Sequence, residues 1–243
     1  MTGRGRIACR SVQSPMADLL LARPGYFALL LHGLGITAKL FAVSWVAAII
    51  VASVLTAIRA TSSKIAQGVI ALFVEYHRNV PGLVQLFVWY FGVPQLLPRD
   101  WQRWINRNDG EFLMAAIALT LYAAAYMSED LRSGLRSVSS GQSQAAKSLG
   151  LTYTQTMRFI LLPQALRNAL PALVNQTLAL FKATSLAMMI GVAELMHAVR
   201  QMENETYRTF EAFIVASICY LAISYLLIYL GSVASKRVAM SKR

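Results

Sequence analysis

Apolar runs about as long as a bilayer is thick decide what this chain can become. Such runs lie at about 28–57, 66–93, 112–131, 169–193 and 213–234. A helix needs about 20 apolar residues to cross the hydrocarbon core, and each run supplies roughly that length. Composition points the same way: of 243 residues, 56% are hydrophobic and only 14% are charged, where an average soluble domain carries about 25% charged residues. The expected fold is an all-α membrane protein with five transmembrane helices, spanning residues 25–236. Residues 1–24 are expected to form an unstructured N-terminal tail, and 237–243 a short C-terminal tail.

A formal charge of +12 raises the question of nucleic acid. Most of the basic residues, however, flank apolar runs and do not build a soluble basic face. No aromatic–basic RNA motif and no zinc-ligand spacing is present, so nucleic acid is excluded as the expected partner and membrane lipid takes its place. Cys9 and Cys219 make neither a disulfide framework nor a metal pair. The N-terminal stretch has a basic start, but its apolar run before Arg23 and Pro24 is too short for a signal-peptide core.

Five spans place the termini on opposite sides. With the C-terminus inside, the inner segments hold eleven Lys and Arg residues against Glu129 and Asp130 alone. The outer segments hold nine against eight acids. The positive-inside rule therefore favours an outer N-terminus and a cytoplasmic C-terminus, which makes 132–168 the longest cytoplasmic loop.

That loop carries local signals for two helices. Gly150 suits the left-handed position just past a helix end. Thr152 followed by Gln155 is a capping-box pattern. Pro163 and Pro171 mark the turn into the fourth span. The first helix is small and smooth on the side of Ala145, Ala146 and Leu149. It can act as a key pressed into another protein, or it can lie on the membrane or under its own bundle.

The stretch "GQSQAAKSLGLTYTQTMRFILLPQALRNALP" (141–171) resembles the EAA loop of ABC importer permeases. Ala145, Ala146 and Gly150 match the start of that motif, and Ile160, Leu162 and Pro163 match its end. Gln144 stands where the family has Glu, keeping the reach but not the charge. Three further stretches, "VEYHRNVPGLVQLFVWYFGVP", "AAYMSEDLRSGLRSVSSGQ" and "LFKATSLAMMIGVAEL", resemble polar amino-acid permeases, nearest to those for glutamate and aspartate. The resemblance implies the type I importer permease fold, with a coupling helix between spans 3 and 4 that docks on a cytoplasmic ATP-binding subunit. It implies a bacterial cytoplasmic membrane location and a solute-binding protein that delivers the substrate. ATP and Mg would be used by the partner ATPase, and no cofactor is expected on this chain. Five spans make a thin wall for a pathway, so a second permease subunit, identical or a sister, is expected.

Ionisable residues inside apolar spans tend to face a bundle interior or a water-filled path. Glu75 and Arg78 qualify in the second span, and Lys182 in the fourth. Glu75 and Arg78 lie three apart on one helix face and can neutralise each other. Lys182, with Thr184 and Ser185 one turn on, can meet a substrate carboxylate or pair with Glu75 from another span. Family members often have Asp or Asn after this lysine. Ala183 stands there and favours an acidic or neutral substrate. With no P-loop, metal pair or nucleophile–base arrangement, the chain is not expected to be an enzyme. The competing reading is a self-sufficient secondary transporter or channel with 142–163 as a passive linker. It requires inverted repeats, which the five runs do not show.

Overall fold

Every predicted run is helical in the computed structural model, which describes residues 24–240 apart from position 62. The expected tail over 1–24 thus lies almost wholly outside the described residues. Among the described residues four helices are long and apolar enough to cross a membrane: Tyr26–Arg59 (α1), Gly110–Arg136 (α5), Tyr153–Ile190 and Thr209–Lys236. The last belongs to α10, which continues to Met240. The expected C-terminal tail from 237 therefore begins as helix, because nothing in "KRVAM" breaks it.

The second run is two half-helices. Lys64–Asn79 (α2) ends at Val80, whose extended backbone is what the following Pro81 imposes on it. Gly82–Phe87 (α3) then restarts the helix. Pro81 has no N–H, so the carbonyl of His77 loses its helical partner. The Gln85 side chain replaces it, donating to the His77 carbonyl at 2.9 Å and to that of Val80 at 2.7 Å. Gln85 is fully buried. The break is thereby closed by a side chain from the next turn, as a non-aqueous setting demands.

Two π turns have one cause. Val88–Gly92 precedes Pro94, and Met157–Leu161 precedes Pro163. A proline ring strikes the carbonyl four residues back, here Tyr90 and Phe159, which sit inside those turns. Widening the helix by one residue relieves the clash while keeping a five-back bond, Val93 N–H to the Val88 carbonyl and Leu162 N–H to that of Met157. Proline therefore does not end the second cytoplasmic-loop helix. Tyr153–Thr156 (α7) runs through the π turn into Leu162–Ala183 (α8), with Pro171 inside, and onward as a 3₁₀ turn at Thr184–Ile190. The fourth helix starts near 153 and not near 169. Its first turns are polar (Gln155, Arg158, Gln164, Arg167), which hides them from a hydropathy reading.

Helix α5 is the central element, packed between α1 and α8. In its apolar window 61% of residues are buried, against 6% in α10, so α5 is core and α10 is rim. At Gly134 α5 and α8 approach closely: a Cβ there would lie 2.5 Å from the Ala165 carbonyl oxygen and 2.8 Å from the Ala169 Cβ. Small residues permit such approach between membrane helices. Arg99–Arg107 (α4) is a short amphipathic helix with Trp101 and Trp104 exposed, as interfacial anchors would be.

Between the fourth and fifth spans, Leu195–Thr206 (α9) folds back against α1 and α10. Glu194 pins it. This fully buried carboxylate caps α9 by accepting the His197 N–H at 3.0 Å, and accepts hydroxyls from Thr37 of α1 at 3.3 Å and Tyr220 of α10 at 3.2 Å. Thr37 in turn accepts the Leu195 N–H at 3.0 Å.

Candidate functional site

Two regions hold the residues singled out from the sequence. The first is Ser140–Ser148 (α6), between the third and fourth spans. Gly150 follows with φ +76, and its N–H bonds the Lys147 carbonyl at 2.9 Å while the Leu151 N–H reaches that of Ala146 at 3.1 Å. Those two bonds are a Schellman termination. Thr152 and Gln155 complete the capping box in both directions, at 3.3 and 2.9 Å. Side chains then tie the unit to the bundle: Asn168 donates to the Ser137 hydroxyl at 2.8 Å, and Gln164 to the Gln142 carboxamide oxygen at 3.4 Å. The loop is an ordered helix–turn–helix.

Its exposed face differs in one residue from the expectation. Gln144, Ala145 and Leu149 are open to solvent, with Leu149 78% exposed. Ala146 is buried at 1% within its own chain, toward the 157–161 turn. It anchors α6, and only its neighbours can face a partner. Ile160 is half-buried, while Leu162 and Pro163 are exposed at the start of α8.

The second region is a polar cavity of about 420 Å³ between α1, α2 and α5. Glu75 and Arg78 line it together with Arg59, Tyr126, Glu129 and Arg132. Arg59 is ion-paired to Glu129, and Arg132 reaches the other oxygen of the same carboxylate at 3.5 Å. Arg78 lies over the Tyr126 ring, 5.5 Å from its centre, and the Tyr126 hydroxyl donates to the Arg78 carbonyl at 3.1 Å. No ion pair joins Glu75 to Arg78, so the mutual neutralisation expected from their spacing is not made. A helical face three residues apart permits such a pair, but the aromatic ring holds the guanidinium elsewhere.

Lys182 is not in this cavity. Its side chain is exposed on α8, and among the described residues it has no ion pair with Glu75 or any other acid. Thr184 is fully buried and donates to the Phe181 carbonyl at 2.7 Å. Ser185 donates to the Lys182 carbonyl at 2.8 Å. Both hydroxyls thus serve the 3₁₀ turn in this conformation. The neighbouring Ala183 lines a smaller cavity, about 90 Å³, with Gly82 and Tyr122. Tyr122 and Tyr126 lie one turn apart with ring centres 5.1 Å apart, so an aromatic pair separates the two cavities.

Sequence reading missed Arg59, Glu129, Gln85 and Glu194 as site or framework residues. In the sequence the first two stand only as charges flanking apolar runs. Pro81 inside an apolar run was the available signal for Gln85, since an orphaned carbonyl needs a donor one turn away.

The family model for "Binding-protein-dependent transport system inner membrane component" matches residues 46–240, well over half of the chain. The chain belongs to this family. It is a multi-pass inner-membrane permease component, and the resemblance seen in its EAA-like loop is borne out. It is 36% identical over 199 residues to the PatM permease protein of Vibrio harveyi, covering 82% of this chain and 86% of PatM. To the arginine transport system permease protein ArtQ of Bacillus subtilis it is 32% identical over 209 residues, covering 86% and 92%. Its fold matches a crystal structure of an amino acid ABC transporter with histidines at TM-score 0.79 and 29% identity, covering 90% of this chain and 98% of that one. The family description itself names dependence on a binding protein.

Proposed function

We propose that this chain is the membrane-spanning subunit of an ATP-driven importer of polar amino acids. A solute-binding protein delivers the substrate at the outer side, and separate ATP-binding subunits drive transport from the cytoplasm. The N-terminus lies outside and the C-terminus inside. A second permease subunit completes the pathway: α10 buries almost none of its apolar window within its own chain, leaving that surface for lipid or a partner helix.

The observation that carries the reading is α6. A nine-residue helix closed at both ends and pinned to the bundle, with Gln144, Ala145 and Leu149 exposed, is a rigid lever. A passive linker has no need of a Schellman end followed by a capping box. ATP-driven closure of the partner subunits pushes α6, and the continuous Tyr153–Ile190 helix carries that displacement into the membrane.

Within the amino-acid class, glutamate and aspartate come first. Lys182 is an exposed cation on the fourth span with no ion pair among the described residues, and Ala183 provides no acid to attract a basic side chain. The relative named for arginine makes the opposite charge the comparison to run. Copurification identifies the ATPase and the binding protein, and a cysteine at Ala145 should crosslink to the ATPase. Uptake of radiolabelled glutamate and arginine in the reconstituted complex tests the substrate. Crosslinks to lipid alone would overturn the docking assignment, and arginine uptake without glutamate uptake would overturn the acidic preference.

A further inference from the structure

Helix α4 joins two membrane runs and meets a different environment on each of its sides. Only Leu97 and Pro98 separate it from the turn that ends the second run at Leu96, and only Asn108 and Asp109 separate it from α5. Side chains tighten both junctions: Gln102 donates to the Leu97 carbonyl at 2.9 Å, and Asn108 to that of Trp104 at 2.7 Å. Tethers this short hold the helix at the bilayer boundary. At about 3.6 residues per turn, its positions sort into three sides. Gln102 and the buried Ile105 form the side toward the bundle, where Ile105 lies against Gly110. Trp101 and Trp104 form a second side, both exposed, with ring centres 6.2 Å apart. Arg99, Arg103 and Arg107 form the third, all exposed and one turn apart in succession. Asp100 pairs with Arg103 at 2.8 Å, whereas Arg99 and Arg107 have no ion pair among the described residues. Two acids, Asp109 and Glu111, follow the helix end, and Glu111 is turned to the Tyr90 hydroxyl at 3.2 Å.

We propose that α4 is a binding site for anionic phospholipid, with Trp101 and Trp104 at the acyl boundary and Arg99 and Arg107 on lipid phosphates. A helix with arginine on its polar side and tryptophan on its apolar side lies in the interfacial plane, and its hold grows with the share of anionic lipid. Indole rings settle at headgroup depth, with the apolar body toward the chains. Guanidinium groups pair with phosphate through parallel charge-assisted hydrogen bonds. Because the bundle takes the third side, the other two are already turned correctly: indoles on one flank, arginines on the other. A protein partner fits this arrangement less well. It would leave two indoles facing water between docking events, whereas the hydrocarbon boundary beside them is permanent. The lipid site does not depend on which amino acid the permease carries. In the proposed orientation its lipids come from the outer leaflet, and they fix the outer ends of the second and third spans.

The test uses the full chain in lipid nanodiscs, which present both leaflets, so it does not depend on the orientation of the chain. Tryptophan emission is read in phosphatidylcholine brominated close to the ester end of its chains. Trp101→Phe with Trp104→Phe is the control that leaves Trp45 and Trp89. The emission removed by that control should be quenched more by these shallow bromines than by bromines near the chain ends. In a second arm the protein is released from an equimolar mixture of phosphatidylglycerol and phosphatidylcholine, and native mass spectrometry reads the lipid that stays bound. The wild type should favour phosphatidylglycerol by roughly tenfold, the span expected of two cations near a lipid surface. Arg99→Gln with Arg107→Gln should lose most of that preference, and Arg99→Lys with Arg107→Lys should keep most of it. Reading wild type against variant cancels what other cations contribute. Emission from Trp101 and Trp104 that ignores brominated lipid, or that changes only when the solute-binding protein is added, would overturn the membrane assignment. A phosphatidylglycerol preference absent from the wild type, or undiminished in the Gln variant, would overturn the arginine site.

Discussion

Glu194 ties three helices together through one side chain. It lies between the fourth and fifth spans, and burial pushes its carboxyl above the usual carboxylate range, against the pull of its hydrogen bonds from backbone, Tyr220 and Thr37. A raised pKa means that the folded state keeps its proton to higher pH than the unfolded chain does. The stability it contributes is therefore full below the ordinary carboxylate value and is lost as pH rises through the raised one. Thermal unfolding in detergent, followed from about pH 4 to pH 8, should show that decline in the wild type. Glu194→Gln should flatten it, and Glu194→Ala should lower stability across the range by roughly 1–3 kcal/mol. A wild-type profile that rises with pH would contradict the assignment. Lys182 supports the opposite expectation. Because it is exposed and has no acid partner among the described residues, Lys182→Met should leave folding and membrane abundance unchanged while reducing uptake of acidic amino acids. Loss of abundance that Glu75→Gln then restores would show that the two are a structural pair after all.

At the scale of the element, α6 and the helix after it form one device. A Cβ at Gly150 would meet nothing within 4 Å, so the cost of replacing this glycine is conformational and not steric. Asparagine tolerates φ near +76, whereas a β-branched residue does not. Gly150→Asn should keep transport close to wild type, and Gly150→Val should lower both uptake and substrate-stimulated ATPase activity in the assembled transporter with insertion unaffected. Equal activity of the two variants would remove α6 from the coupling path. The helix pair itself was legible because caps are local: Gly150, Thr152 and Gln155 act within four residues of one another. The continuation of α7 into α8 was not legible, because a proline read in isolation ends a helix. Here a π turn absorbs the ring, and packing against α5 makes that turn worth keeping.

For the whole molecule, α5 sets the architecture, and its close approach to α8 at Gly134 tests it. Gly134→Ala places a methyl group against the Ala165 backbone, where nothing flexible can yield. Overpacking of this kind costs roughly 1–3 kcal/mol. The variant should unfold earlier in detergent and lose transport even though Gly134 touches neither the cavity nor α6's exposed face. Unchanged stability would mean that α5 and α8 separate more easily than their contact implies. The same packing explains why Arg59 and Glu129 were missed. They are 70 residues apart in sequence and appear in it as flanking charges, and only the crossing of α1 on α5 turns them into one cavity wall.

By itself the sequence determined the number of apolar runs, the break at Pro81, the caps around α6 and the family, because each depends on length, proline chemistry or spacing along the chain. Tertiary structure alone decided that Ala146 faces inward, that Arg78 lies over Tyr126 and makes no ion pair with Glu75, and that Glu194 is a buried clasp and not a loop charge. In a membrane helix both the lipid-facing and the helix-facing sides are apolar, so hydropathy carries no signal for which side turns inward. That choice is made by close approach at small residues and by the few polar groups that must find partners.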